Sequence, residues 1–426
     1  MESDTPSKFL TKLLHAAIQS ADPLLHVSAF LPNKPPGKLV VVGAGKASAR
    51  MAEAVEKNWD GPLTGHVVTR YGHSASCKHI QIAEANHPTP DNKSEISAKK
   101  ILDLVSQLTK NDHCLALISG GGSSLLCAPV DEITIDEKKE ITSALLKCGA
   151  SIDDINCVRK HLSKIKGGRL ALSAPSTPMT TLIISDVPGD DPSVIASGPT
   201  IADPTSLVDA QNIISKYGID QLPNINQLAL KEALTNPRNE TLKPDNPILN
   251  KGVIHIIATP QQALESAASI ATKNGITPLI LSDSIQGEAQ EVAKVMASIA
   301  LQVKTHGQPI APPCVLLSGG ETAVTVTGGG RGGRNVEFIL SLAIALKGAK
   351  NIYALAADTD GIDGIEEIAG AIISPDCLKR ALKIGLHPEH FLKRNDAHTF
   401  FEKLGDQVIT GPTRTNVNDF RAILIT

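Results

Sequence analysis

The sequence predicts an α/β protein of mostly parallel strands in two domains, and three observations carry that expectation. Short apolar runs recur at residues 39–42, 115–118, 181–184, 253–257, 315–317 and 353–357, with glycine-rich turns and helical patterns between them. At 426 residues, with 42% hydrophobic and 20% charged, the chain has ordinary globular composition and exceeds what one core usually holds. The polar stretch 236–251 carries Pro237, Pro244 and Pro247 and reads as a linker, which sets the domains at 1–245 and 246–426.

Charge and composition narrow the partners. Lys plus Arg number 41 against 44 for Asp plus Glu, so a net charge of −3 gives no general field for nucleic acid or an anionic membrane. Aromatics are only 3%, which removes the stacking platforms that single-stranded nucleic acids use. The seven cysteines are odd in number, scattered and without a C-x-x-C pair, as expected of a reduced, cytoplasmic protein. No apolar run approaches the length of a membrane span. Residues 1–12 are polar and include Glu2 and Asp4, unlike a secretory signal or an arginine-rich transit peptide.

The first run, 39–42, reads as a buried strand that ends in Gly43, Ala44, Gly45 and Lys46, with a helix expected over 47–57. In such sheets ligands lie beyond the carboxyl ends of the strands. Glycines there let backbone approach a ligand, the helix N–H groups face an anion, and Lys46 adds a point charge for phosphate or carboxylate. The pattern favours phosphoryl chemistry over simple dinucleotide binding. It is not a Walker A loop, because Val40 stands where the first glycine belongs, and Ser48 replaces the third glycine of a dinucleotide fingerprint. The next strand, around Val67 and Val68, ends in Thr69 and Arg70 rather than in an acidic ribose ligand, although an arginine suits a 2′-phosphate.

A second loop reads Ser119, Gly120, Gly121, Gly122, Ser123, Ser124 and offers consecutive N–H groups and hydroxyls as a phosphate cradle. It lacks the spacing of a nucleophile elbow. Residues 117–121 echo 316–320, which chance explains as well as duplication does. The basic segment 159–169 contains Arg159, Lys160, His161, Lys164, Lys166 and Arg169. Its ordinary reading is a solvated helix face, and its functional one turns Arg159 and Ser163 into a site. After the run 181–184, an acidic proline turn presents Asp186 and Asp190, which suit Mg²⁺ or are simply surface aspartates.

The stretch 318–335 combines Ser318, Gly319, Gly320, Glu321 and Thr322 with Arg331 and Arg334 among glycines. Arg334 stands at a helix start, where it can stabilise transferring phosphoryl oxygens, and Asn335 is expected to cap a helix over 336–346. The segment from Asp358 to Gly364 fails as an EF-hand, since Ile362 and Asp363 occupy the fifth and sixth positions. Residues 411–419 form one more polar turn.

Taken in order, GAGKAS, LISGGGSSLL, VRKHLSKIKGGRLA, ISDVPGDDPSVIASGPT, LSGGET, GGGRGGRNVEF, ADTDGIDG and GPTRTNVND resemble the glycerate 2-kinase family, the class II or MOFRL-type glycerate kinases. The likeness runs from about Val40 to Phe420. It implies a Rossmann-like N-terminal domain, a smaller MOFRL-type C-terminal domain and an active site in the cleft between them. It also implies transfer of the ATP γ-phosphoryl group to D-glycerate with Mg²⁺, giving 2-phospho-D-glycerate; only the resemblance selects O2 over O3. The family's catalytic lysine and arginine fall on Lys46 and Arg334. Gly43, Gly45, Ser119 to Ser124, Glu321 and Asn335 are then expected at substrate or phosphate, and Asp186 and Asp190 at the metal. The expected partners are small molecules, with a homodimer as candidate assembly. Arg414 departs from the family, which usually has glycine there. Two rival functions are an NAD(P)H-dependent hydroxypyruvate reductase, supported by Gly43, Gly45 and Arg70, and a non-catalytic sensor of a phosphorylated metabolite.

Overall fold

The computed structural model describes residues 5–426, so Glu2 and Asp4 lie outside the described residues. The chain forms two compact units, one of residues 23–185 and 190–257, the other of residues 5–22, 186–189 and 258–426.

The first unit is built on a six-stranded sheet of β1 (Leu39–Ala44), β2 (Leu63–Arg70), β3 (Ile80–Ala85), β4 (His113–Ser119), β5 (Met179–Ile184) and β6 (Gly252–Ala258). Its order is β3-β2-β1-β4-β5-β6, and β1 runs parallel to β2 and β4, as β2 does to β3 and β4 to β5. This is the strand order of doubly wound nucleotide-binding sheets, whose winding reverses between β1 and β4. β1 and β5 are buried along their whole length, which is why the sequence shows unbroken apolar runs there rather than alternation. Helices Ser48–Asn58 and Asn92–Ser106 follow β1 and β3, the latter started by a reciprocal Asp91–Ser94 capping box. Helices Ile135–Lys147, Ile152–His161, Leu207–Lys216 and Gln227–Thr235 close over a separate core containing Ile141, Leu145, Val158, Ile214 and Leu230.

The stretch 236–251 is not a spacer. Arg169 donates to the carbonyls of Arg238 (2.7 Å) and Asn239 (3.3 Å), and Glu240 meets His161 Nε2 at 3.0 Å. Pro237 and Pro247 begin short 3₁₀ turns instead of freeing the chain. The chain then adds β6 to the first sheet and changes unit between Ile257 and Ala258, later than the expected 245/246 division.

The second unit holds β7 (Thr277–Glu288), β8 (Cys314–Ala323), β9 (Ile352–Asp358), β10 (Gly370–Ile373), β11 (Gln407–Val408) and β12 (Asp419–Ile425). The order is β11-β10-β9-β12-β8-β7, and only β7 and β8 pair in parallel. The expectation of mostly parallel strands therefore fails in this sheet. β12, which the apolar-run reading does not include, inserts between β8 and β9 and runs antiparallel to both. Helix Arg334–Leu346 packs Phe338, Leu342 and Leu346 into a core with Leu316, Phe400 and Ile423. Helix Pro6–Gln19 also belongs here, where Ser266 Oγ donates to the Ala16 carbonyl at 3.1 Å, so the two units are not contiguous in sequence. Among the described residues no helix is long and apolar enough to cross a membrane.

Candidate active site

The two glycine loops leave the adjacent strands β1 and β4 at the point where the winding reverses, which is where such sheets bind ligands. They are fastened to each other. Lys46 N–H donates to the Gly120 carbonyl (2.8 Å), Ala47 N–H to Ser119 Oγ (3.0 Å) and Ser48 Oγ to the Leu117 carbonyl (3.0 Å). A Cβ on Gly45, whose φ is +141°, would lie 2.1 Å from Ser119 Oγ, and one on Gly43 would lie 2.2 Å from the Leu117 oxygen. These glycines bring loop to loop and strand to strand. Ser119 is fully buried and its hydroxyl serves Ala47. Lys46 is 9% exposed, with Cγ 3.3 Å from where a Gly121 side chain would begin.

Gly121, at φ +78°, turns the second loop into the short helix Gly122–Leu125. Ser123 Oγ shares a 2.7 Å hydrogen bond with Ser197 Oγ, and a Cβ on Gly122 would meet the Ala196 methyl at 2.6 Å. Ala196 and Ser197 hold φ of 53° and 61°, a left-handed pair that costs about 1–3 kcal/mol per residue and persists where packing fixes it. The basic segment is not a solvated face. Lys160, His161 and Lys166 are buried; Lys160 pairs with Asp203 at 3.4 Å, and Lys166 Nζ donates to the Ser123 carbonyl at 2.7 Å. Helix Ile152–His161 ends before Ser163, so the expected Arg159–Ser163 face does not form. Burial holds the Lys166 ammonium well below the usual lysine range, and the nearby Lys138 and Arg159 charges add to this.

In the second unit, Gly333 opens helix Arg334–Leu346 without a side-chain cap. Asp363 caps it from a distance, accepting Asn335 N–H at 3.0 Å and Val336 N–H at 2.8 Å. Asn335 is therefore a helical residue and not the cap; its Nδ2 donates to Asp419 Oδ1 at 2.8 Å. Burial pushes Asp363 up to about 7, against the pull of those two N–H groups.

Arg334 is the hub. Its Nε donates to Asp419 Oδ1 (2.7 Å), Nη1 to Glu321 Oε1 (2.5 Å), and Nη2 to Asp358 Oδ2 (2.8 Å) and Asn418 Oδ1 (3.3 Å). Burial opposes its charge, but Asp419, Asp358, Glu321 and Asp363 outweigh that and raise its pKa well above normal. The polar turn 411–419 also fixes Asp186: Asn416 Nδ2 donates to its Oδ2 at 2.9 Å and Asn418 Nδ2 to its carbonyl at 2.7 Å. Arg331 lies apart, on Glu366 and Glu402 at the surface.

One unit thus gathers Lys46, Ser119 to Ser124 and Lys166, and the other Arg334, Glu321, Asn335 and Asp186, while Asp190 belongs to the first unit with φ 55°. In sequence, Asp358 reads as part of a failed EF-hand and Asn418 and Asp419 as part of a polar turn without an assigned role, and Arg421 carries no motif. The signal available was their position, since Asp358 ends β9 and Asp419 begins β12. Among the described residues no group of three or more His, Cys, Asp or Glu is arranged to hold a metal ion. Magnesium that arrives on a nucleotide needs only one or two carboxylates, and Asp186 in one unit and Asp190 in the other are each of that kind.

Residues 9–231 match the family described as a domain of unknown function, DUF4147, and residues 314–419 match the MOFRL family. A protein of Agrobacterium vitis, whose name gives hydroxypyruvate reductase as a provisional description, is 52% identical over 98% of this chain and 94% of its own. The D-glycerate 2-kinase of Thermotoga maritima is 39% identical over 98% of each chain. A crystal structure of glycerate kinase from Thermotoga maritima superposes with a TM-score of 0.87 at 39% identity, covering 99% of both chains. With both halves of the chain and its whole fold accounted for in this way, the protein belongs to the MOFRL-type glycerate 2-kinase family.

Proposed function

We propose that this chain is an ATP-dependent glycerate 2-kinase, transferring the γ-phosphoryl group to O2 of D-glycerate to give 2-phospho-D-glycerate and ADP. The observation that carries the reading is near full-length likeness to a D-glycerate 2-kinase; Lys46 and Arg334 are the proposed catalytic pair, as the motif resemblance implies. Phosphoryl transfer passes through a loose transition state, so catalysis consists mainly of positioning and charge stabilisation. Lys46 offers a nearly buried ammonium at the end of β1, and Arg334 a guanidinium whose orientation is fixed by carboxylates.

In this reading Arg334 meets the phosphoryl oxygens by exchanging Glu321, the exposed member of its cradle, while buried Asp358 and Asp419 keep it oriented. Ser119 acts as a positioning residue, and Gly120 to Ser124 contact substrate or phosphate. Mg²⁺ bound with ATP supplies charge neutralisation at the phosphates, with Asp186 and Asp190 as the proposed carboxylates. The cytoplasm is the proposed setting.

The Agrobacterium vitis relative's name favours a hydroxypyruvate reductase. Against it, the Ser48 hydroxyl that replaces the third glycine of a dinucleotide fingerprint is bonded to the Leu117 carbonyl, and β2 ends at Thr69 and Arg70 without the acidic ribose ligand of NAD, leaving Arg70 to favour only the 2′-phosphate form. The test is ³¹P NMR of the protein with MgATP and D-glycerate. A 2-phosphoglycerate resonance is expected; absence of transfer together with NAD(P)H oxidation on hydroxypyruvate overturns the kinase.

A further inference from the structure

We propose that a cavity in the first unit, bordered by Arg159, Lys166 and Ser124, binds the phosphate chain of the nucleotide, with Arg159 as its principal anchor. The choice of a nucleotide rests on the kinase reading above.

The cavity measures about 520 Å³, and its lining contains Lys138, Lys139, Arg159 and Lys166 but no carboxylate. Three of these cations have other duties. Lys138 Nζ donates to the Leu162 carbonyl at 2.6 Å and closes the end of helix Ile152–His161, Lys139 pairs with Asp136 at 3.1 Å, and Lys166 holds the Ser123 carbonyl. Arg159 has none: among the described residues its guanidinium makes no hydrogen bond or ion pair. It is half-buried, and burial draws its pKa down with no carboxylate to offset the effect. Lys138, Arg159 and Lys166 form a shielded set of cations that, among the described residues, no carboxylate pairs, which weakens the ligand-free fold, and the natural remedy is an anion from outside.

Size and shape select among anions. A three-carbon acid would leave most of this volume unfilled, whereas it lies within the range of pockets for larger organic ligands. Ile135 and Leu146 supply an apolar wall for a nucleoside. Gly121 also lines the cavity, and a Cβ built on it would lie 3.3 Å from Lys46 Cγ, so the cavity borders the Lys46 stem. His87 borders the same cavity, its pKa lowered to about 3 by burial and then by Lys46, Arg70 and His73.

The experiment is calorimetric titration of the full chain with MgADP, for the wild type, Arg159→Gln and Arg159→Lys, with steady-state kinetics alongside. Arg159→Gln is expected to weaken MgADP about ten- to hundredfold and to raise KM for ATP in parallel, the usual scale for losing charged hydrogen bonds. KM for glycerate should stay put, the ligand-free melting temperature should rise, and Arg159→Lys should fall between. Unchanged MgADP affinity in folded Arg159→Gln overturns the proposal, as does a rise confined to KM for glycerate. If the wild type forms no 2-phosphoglycerate yet its MgADP affinity still depends on Arg159, the kinase reading fails and this site stands.

Discussion

Arg334 Nε meets Asp419 Oδ1 at 2.7 Å, and the second oxygen of that carboxylate accepts from Arg421, so two guanidiniums share one buried acid. Arg421 is itself fully buried, donating to the Gly319 carbonyl (3.1 Å) and Thr322 Oγ1 (3.0 Å) and lying 5.0 Å over the Phe338 ring. β12 thereby ties the arginine of the glycine-rich loop to β8. The side chain proposed to meet the phosphoryl oxygens is also a structural keystone, which affects how its variants are read.

Arg334→Ala leaves buried Asp358 without this cation and Asp419 with Arg421 alone, and should destabilise the protein by about 3 kcal/mol in urea titration. Loss of activity in that variant would therefore say little by itself. Arg334→Lys keeps a charge but not the planar fork, so it should lose less stability while turnover drops roughly a thousandfold. Wild-type kcat in Arg334→Lys would remove the phosphoryl role, and an unchanged urea midpoint in Arg334→Ala would remove the structural one.

The junction of β1 and β4 gives a sharper steric prediction. Gly45→Ala places a Cβ 2.1 Å from Ser119 Oγ and 2.5 Å from the Ser119 carbonyl oxygen, at a φ of +141°. Gly72→Ala has a positive φ of +79° too but meets nothing within 4 Å. The control should cost about 1–2 kcal/mol for its backbone alone, and Gly45→Ala clearly more. Equal melting temperatures for the two variants would show that the loops are not locked together.

Much of the first unit was legible because strands buried on both faces write continuous apolar runs, and because Lys46 and Ser119 to Ser124 follow two of them directly. The rest was hidden by pairing across long separations. Lys160 and His161 look like a solvated face until Asp203 and Glu240 are seen beside them. β12 carries Asp419 and Arg421, buried charges whose roles emerge only when each finds its partner in the fold. Asn335 looked like a cap because it precedes an apolar run, whereas the true cap, Asp363, comes from a later loop.

His66 supplies a test of pH dependence. It is buried on β2, and burial, then the Lys100 charge, lowers its pKa from 6.5 to about 4. Above pH 6.5 the ring is neutral folded and unfolded, so its full contribution is present. Between pH 6.5 and 4 the unfolded chain takes up the proton and the folded one does not, which removes up to about 1.4 kcal/mol per pH unit. In urea titrations the stability advantage of wild type over His66→Gln should hold from pH 7.5 to about 6.5 and shrink from there to pH 5. A gap of constant size would mean that the ring is not held neutral.

Arg414, at the residue where the family usually has glycine, adopts φ 60°. The turn around it is held from both sides, with Thr413 Oγ1 donating to the Thr359 carbonyl at 2.6 Å and Thr415 Oγ1 to the Ala21 carbonyl at 2.7 Å, so the backbone has little freedom to relax. A side chain in the left-handed region costs about 1–2 kcal/mol that glycine does not incur, part of which glycine's greater unfolded-state freedom takes back. Arg414→Gly should therefore stabilise by roughly 1 kcal/mol and raise the melting temperature by about 2–4 °C. Arg414→Ala keeps the strained backbone while removing the guanidinium, and should show no such gain. If alanine stabilised as much as glycine, the cost would lie in the arginine side chain and not in the turn.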